Sequence, residues 1–523
     1  MKLLAVVVLR LAALALAEHG HGPGFKFRIT QHALDELNRA VSVVLSERDA
    51  AEKVLQLRFK QFEFGKILKS AMGIEEAEDD PVIENVELVS LEPGTGSINF
   101  EAPNIIKMTQ SGVSVTAKAT VNAHAKGRAE LTVTVTDLSG SSGWAIGYDE
   151  ARSTATFGLH SCSAQVNSMS VVAAGFGDHE AAINEQLREF FDGAVEKFGE
   201  NVCQKGRQFA LRKTMEARAA GCQPMLPAPL EDLAFRVCFT GPPAATTEYM
   251  DFEMCGNTIH ANEVDAQTFA DVDLGFEPAP LQMDGASTDK MFYSWHAQVA
   301  INRFHRVLFD TDKISYTFPS DSPHSIRHSR VVHAVAEKFA LTVDESKPIV
   351  TTFSAVNKPP HVVFCPHHPN DALANVTIKI EHAFHDVDGN EHTVAVIANF
   401  QGKLHWTFHE TADNKSLPRT VVKVAIDQVD WVSAGSIDVA QQDLDDYKEM
   451  FKQNMTNVFD SLLEQWSHKE VENEDAWLPK PLRIFKLTEM SSKLLDQTAQ
   501  FESNARVVNE RLLQFILSQE ESD

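Results

Sequence analysis

The longest regular pattern in the chain runs from Val113 to His124. Val113, Val115, Ala117, Ala119, Val121 and Ala123 alternate with Ser114, Thr116, Lys118, Thr120, Asn122 and His124. A period of two separates an apolar face from a polar one and predicts a long strand. Ala125–Arg128 turns the chain, and Leu131, Val133 and Val135 then alternate with Thr132, Thr134 and Thr136. A long antiparallel hairpin is therefore expected. Ser161–Met169 alternates in the same manner and is expected to be a later strand of that sheet, with Cys162 among its side chains.

Two stretches around this region change period. Ile29, Leu34, Leu37, Val41, Val44 and Leu45 recur at helical spacing, weakening toward Phe64, and the acidic stretch Gly73–Pro81 breaks the pattern. Between His179 and Lys213 the apolar stripe Ile183, Leu187, Phe190, Phe191, Ala194, Val195, Phe198 and Val202 predicts a second, long helix, with Cys203 after it. A proline-rich segment, Cys222–Leu233, reads as a linker. The plan then recurs. Met291–Phe309 is expected to be helical, Asn375–Phe408 to form alternating strands, Asp443–Trp466 to be a long helix and Leu478–Leu495 to contain a late strand. The order helix, meander, helix occurs twice, without identity that would define a sequence repeat.

Length and composition narrow the function. A chain of 523 residues with 43% hydrophobic and 23% charged residues can build more than one core. Its formal net charge of −26 argues against nucleic acid, and against anionic lipid surfaces as bulk electrostatic partners. Lys2, the apolar run behind it and Ala15-Leu16-Ala17 form a signal-peptide pattern, interrupted by Arg10. Secretion is expected, with residues 1–17 removed and no transmembrane segment in the remainder. In that compartment the six cysteines are expected to form disulfides, and Asn375, Asn414 and Asn454 head glycosylation sequons.

Catalytic and metal patterns are largely missing. The sequence holds no G-x-S-x-G, H-E-x-x-H or Walker-type loop. Gly140–Gly143 falls short of a nucleophile elbow. Asp386–Glu391 has its glycine in the wrong position for a calcium loop and reads better as a hairpin turn. The histidines at His19–Gly22 and Cys365–Pro369 have no second ligand pair at zinc spacing. No enzyme activity, metal or cofactor is expected.

The cysteines carry a more specific signal. Cys162 on a strand, Cys203 on the following helix and the segment "FFDGAVEKFGENVC" between them resemble the family of bactericidal/permeability-increasing protein and lipopolysaccharide-binding protein, which includes the cholesteryl ester and phospholipid transfer proteins. "GFKFRITQHALDEL" from Gly24, "TGPPAATTEYMDFEMCG" from Thr240 and "MFYSWHAQVAINRFHRVLFDTDKISYTF" from Met291 resemble, in order, the family's opening, its central segment and the start of its second half. The similarity runs from about Gly24 to Phe515 and lies in order and spacing.

That resemblance implies an α+β fold. Two elongated antiparallel β-barrels, each flanked by long helices, would be joined by a central β-sheet. The implied divisions are an N-terminal barrel over 18–220, a linker and central sheet over 221–290 and a C-terminal barrel over 291–523. It implies a Cys162–Cys203 disulfide and apolar pockets that hold phospholipid-like acyl chains, with lipid transport or innate defence as the role. The wall residues of the first pocket are then expected to be Leu34, Leu37 and Val41 on the first helix, with Phe190, Val195 and Phe198 on the second. Cys238 and Cys255 are placed opposite each other in a hairpin. Cys222 and Cys365 are left over by count alone. The competing reading is a glycosylated extracellular interaction protein whose barrels are fully packed.

The chain departs from the family in charge. Glu75, Glu76, Glu78, Asp79 and Asp80 occupy the loop where endotoxin-binding relatives are basic, and residues 18–220 hold 21 Lys+Arg against 28 Asp+Glu, a balance of −7. Binding of lipopolysaccharide phosphates is expected to be weak or absent.

Overall fold

The computed structural model describes residues 24–53, 82–123, 127–149, 154–220, 233–236, 239–254, 257–260, 281, 288–318, 332–333, 335–364, 371–409, 419–437, 439–440 and 484–520. The signal-peptide pattern, the acidic loop, the linker up to residue 232, Asp443–Trp466, Asn414, Asn454 and Cys222, Cys238, Cys255 and Cys365 lie outside the described residues.

The chain opens with β1 (Phe25–Thr30) and α1 (Gln31–Ser46). Next come β2 (Val82–Glu92), β3 (Thr95–Glu101), β4 (Ile105–Ala123), β5 (Gly127–Asp149) and β6 (Thr154–Ala174). The predicted hairpin is β4 with β5, in register from Ala123 opposite Gly127 back to Ile105 opposite Ala145, and β6 pairs antiparallel with β5. Two helices follow, α2 (Glu180–Glu196) and α3 (Phe198–Ala220). They replace the one long helix expected. Lys197 leaves helical geometry between them, because α3 must turn to lie close against β6.

Short strands β7 (Leu233–Arg236), β8 (Ala244–Ala245), β9 (Tyr249–Met254) and β10 (Asn257–His260) occupy the middle of the chain. The segment expected as a helix from Met291 divides into β11 (Phe292–Ala297) and α4 (Gln298–Asp310). Phe292 on one face of β11 and Tyr293, Trp295 and Ala297 on the other are all buried, so its period of two is hidden in the sequence. Ile29, counted with the first helix by spacing, likewise belongs to β1.

The second meander comprises β12 (Ser315–Phe318), β13 (Val350–Ala355), β14 (His361–Phe364), β15 (Asp371–His385), β16 (Glu391–His409) and β17 (Arg419–Ser433). Asp386–Asn390 is the turn between β15 and β16. The described chain ends with β18 (Phe485–Leu495), β19 (Thr498–Val507) and α5 (Asn509–Glu520).

Three larger antiparallel sheets result among the described residues. The first runs β2-β4-β5-β6, with β3 also on β4. The second runs β12-β13-β15-β16-β17, with β14 also on β15. The central sheet runs β18-β19-β11-β1-β9-β8. Each path is open between two edge strands, so the sheets are not closed into the expected barrels. The central sheet draws strands from both ends and the middle of the chain.

Side chains cover the edges that closure would have removed. In the first half the Gln31 amide donates to the Ile98 carbonyl (2.6 Å) and accepts from the Phe100 N–H (3.2 Å) on β3. In the second half Asn302 donates to the Val362 carbonyl and accepts from its N–H (2.8 Å each), and Gln298 accepts from the Phe364 N–H on β14 (2.8 Å). Gln31 and Gln298 are the first residues of α1 and α4, and β1 and β11, which feed those helices, pair with each other. The repeated plan thus extends to a shared device for docking a helix on a short edge strand. Along β6, Asn184 of α2 bonds both backbone groups of Ala173 (2.7 and 2.8 Å), and Thr214 of α3 bonds those of Phe157 (2.9 and 3.2 Å).

Candidate apolar site between the first sheet and its helices

The apolar face of the first sheet is packed at its two ends. At one end, Leu34 and Leu37 of α1 are buried with Ile98, Phe100, Met108, Trp144 and Phe157, and this cluster continues through Phe209 of α3 into Phe252, Phe292 and Phe485 of the central sheet. Val41 is half-buried against it. At the other end, Ala119, Val121, Leu131, Val133 and Val171 pack on Ile183, Leu187 and Phe191 of α2.

Between these clusters the same face stays apolar but is packed less completely. Val113, Val115 and Leu138 on the sheet are half-buried, as are Val195, Phe198 and Val202 on the helices, and Val135 is half-buried against the second cluster. The Cys162–Cys203 disulfide borders this band, with Cys162 opposite Ser142 on β5 and the sulfurs 2.01 Å apart. Gly199, one turn before Cys203, lies so near β6 that a Cβ there would stand 2.4 Å from the Ala164 carbonyl oxygen. Gly206 lets the next turn approach Leu159, where a Cβ would be 3.0 Å from its side chain. Small residues and the disulfide therefore clamp α3 to the sheet edge from the border of the half-buried band, at Ala164, into the first cluster, at Leu159 and Trp144.

The six expected wall residues fall in different surroundings. Leu34 and Leu37 are fully packed core, and Val41 lies at its margin. Phe190 is 43% exposed and meets Phe191 edge-on, with ring centroids 5.1 Å apart. Val195 and Phe198 flank the break between α2 and α3 and border the loosely packed band. The structure does not bring the first-helix trio and the second-helix trio into one cluster. Asn375 is half-buried within β15, between β14 and β16, and its sequon threonine, Thr377, is buried and donates to Asn399 (2.7 Å).

A second apolar recess opens in the central sheet. Phe27, Phe292, Phe485, Leu487, Met490 and Phe501 line most of a cleft of about 100 Å³. It is small beside ordinary ligand pockets of about 300–1,000 Å³. The alternation of Phe25, Phe27 and Ile29 with Lys26, Arg28 and Thr30 was the sequence signal for this face.

The opposite face of the central sheet is charged and buried. Arg28 makes a two-pronged pair with Asp251 (Nε–Oδ1 2.7 Å, Nη2–Oδ2 2.9 Å), and Lys26 reaches the same carboxylate at 3.0 Å. The Arg28 guanidinium also lies 3.6 Å from the centre of the Tyr249 ring. Burial disfavours its charge, but the bonds and attraction to Asp251 outweigh that and raise its pKa above the ordinary value. These groups sit on opposing residues of β1 and β9 and fix their register.

Cations described on the outer face of the first sheet are paired. Lys107 pairs with Glu101 (3.5 Å), Lys118 with Glu130 (2.6 Å) and Arg128 with Glu84 (3.1 Å). Among the described residues no cluster of three or more metal-binding side chains converges, and no helix is long and apolar enough to cross a membrane.

No family model matches the chain, and no curated protein matches it. Among solved structures it is similar to the crystal structure of lipopolysaccharide binding protein at 12% identity, over 93% of this chain and 99% of that one, with a TM-score of 0.41. A likeness at that level assigns no ligand.

Proposed function

We propose that the protein is a secreted, disulfide-bonded and glycosylated lipid carrier without enzymatic activity, which holds phospholipid-like acyl chains against the apolar face of its first sheet. The observation that carries this reading is the half-buried band between two dense clusters. Protein interiors ordinarily pack to crystal density, and apolar side chains left short of that density lose contacts. An acyl chain would restore those contacts at about 0.8 kcal/mol for each buried CH₂. The clamp at Gly199 and Cys203 would hold the helix in place whether or not a chain is bound. The family resemblance of the sequence points the same way and makes lipid transport or defence the setting. The paired state of Lys107, Lys118 and Arg128 supports weak or absent binding of lipopolysaccharide at the outer face of the first sheet.

Val195→Trp tests the position of the site. Filling the band should lower the lipid recovered in an organic extract severalfold while the melting temperature is kept or raised. A variant that folds and carries the wild-type amount of lipid places the lipid elsewhere. A destabilised variant shows that Val195 is packed core, where overfilling costs about 1–3 kcal/mol.

A further inference from the structure

The net charge of −26 is not evenly spread. From Lys205 to Arg218, α3 carries Lys205, Arg207, Arg212, Lys213 and Arg218 against Glu216 alone, five positive charges less one negative, or +4. The inward side of this helix is accounted for, with Phe209, Ala210, Thr214 and Ala217 buried on the sheet. Its outward side is not apolar-free. Leu211 and Met215 are 62% and 60% exposed. Together with Arg207 and Arg218 they recur at intervals of four, four and three residues, which places all four on one outward stripe.

The ion pairs on the helix leave a cationic remainder. Arg218 meets Asp149 (2.8 Å), and Glu216 takes both Lys213 (2.5 Å) and Arg212 (3.7 Å) on the flank. Lys205 and Arg207 are exposed and make no ion pair among the described residues. Glu200 is the acidic residue at the start of the outward side.

We propose that this stripe of α3 docks the protein on an anionic phospholipid surface. Two long apolar side chains set among arginines and a lysine match what a helix lying in a membrane interface presents: apolar groups that enter the headgroup boundary and cations that meet lipid phosphates and carboxylates. Each cation near such a surface contributes attraction that salt screens over about 8–10 Å. The same screening confines the repulsion from the protein's distant acidic residues, so contact through this face is favourable although the whole molecule is negative. The docking face needs no lipid inside the protein, and its test is separate from the test for bound acyl chains.

The test is flotation of the full chain with vesicles of phosphatidylcholine, with and without phosphatidylserine. Binding should require phosphatidylserine and weaken as salt is raised. Arg207→Glu should lower it about tenfold, and Leu211→Ser with Met215→Ser by a similar factor, with unchanged melting because all three positions are exposed. Equal binding to both vesicle compositions, or wild-type binding by either variant, would overturn the proposal. So would self-association without vesicles that the same substitutions abolish, since the stripe would then be an interface between copies of the chain.

Discussion

At the scale of single residues, burial and charge set the most specific expectations. Asp251 is buried and pairs with both Lys26 and Arg28, and Lys26 also reaches Glu253. Asp251→Asn keeps the shape and removes the charge, leaving two buried cations short of their partner. The variant should unfold about 3–5 kcal/mol more easily in urea; a loss below 1 kcal/mol would mean that Glu253 and the aromatic rings satisfy the cations unaided. His296 tests the same physics with the opposite charge balance. It lies between Phe25 and Phe501, with ring centroids at 4.7 and 5.2 Å, and burial lowers its pKa from the ordinary 6.5 to about 4. His305 is lowered to about 4 first by burial and then by nearby His361. Between those values the unfolded chain takes up protons that the folded chain refuses. The stability tied to neutral imidazole is therefore complete above pH 6.5, falls as pH drops and levels off below about 4. Melting temperatures of His296→Phe should fall less steeply than wild type across that window, and identical slopes would contradict the assignment.

At the scale of elements, legibility tracked how cleanly each element separates two environments. β4 and β5 have one face on the core and one in solvent, so alternation marks them, and their register is local. β11 has Phe292 on the face of the apolar cleft and Tyr293 and Trp295 on the charged face, all buried, so its pattern is continuous and imitates a helix. The division of α2 from α3 was illegible for another reason: Phe198 and Val202 continue the helical stripe, and only the contact of Gly199 with Ala164 calls for a turn. Pairings such as Arg28 with Asp251, 223 residues apart, leave no local trace. The docking of α1 and α4 by Gln31 and Gln298 did leave one, a glutamine directly after a short aromatic strand, legible only once both halves are superposed. The disulfide belongs to this scale. With its cysteines 41 positions apart in sequence, loop closure contributes about 4 kcal/mol. Cys162→Ala with Cys203→Ala should lose roughly that much in denaturant unfolding. A loss under 1 kcal/mol would show that Asn184 and Thr214 hold the helices to β6 without it.

At the scale of the whole molecule, the architecture joins two sheets through a third. The first sheet's main cluster runs into the central sheet through Phe252, Phe292 and Phe485. The central sheet also meets the second sheet through Leu494, Ala499, Val362 and Ala372. The long strands of the first meander, and the strand-rich stretch of the second over β15 and β16, were readable from periodicity. The openness of the sheets was not, because edge closure depends on which side chains reach an edge strand. The candidate wall residues were legible as apolar stripes, but a stripe does not distinguish a packed core from a lined cavity. Leu37 proved to be packed and Val195 to border the loose band, although their spacing is alike.

The central claim is that the protein holds lipid, and the most direct measurement is native mass spectrometry of the full chain purified without detergent, followed by analysis of its organic extract. The account predicts a protein species heavier than the polypeptide and its glycans by whole lipid molecules, with phospholipid or a similar two-chain lipid in stoichiometric amount. A mass explained by polypeptide and glycans alone, with a lipid-free extract from protein produced in more than one host, would contradict it.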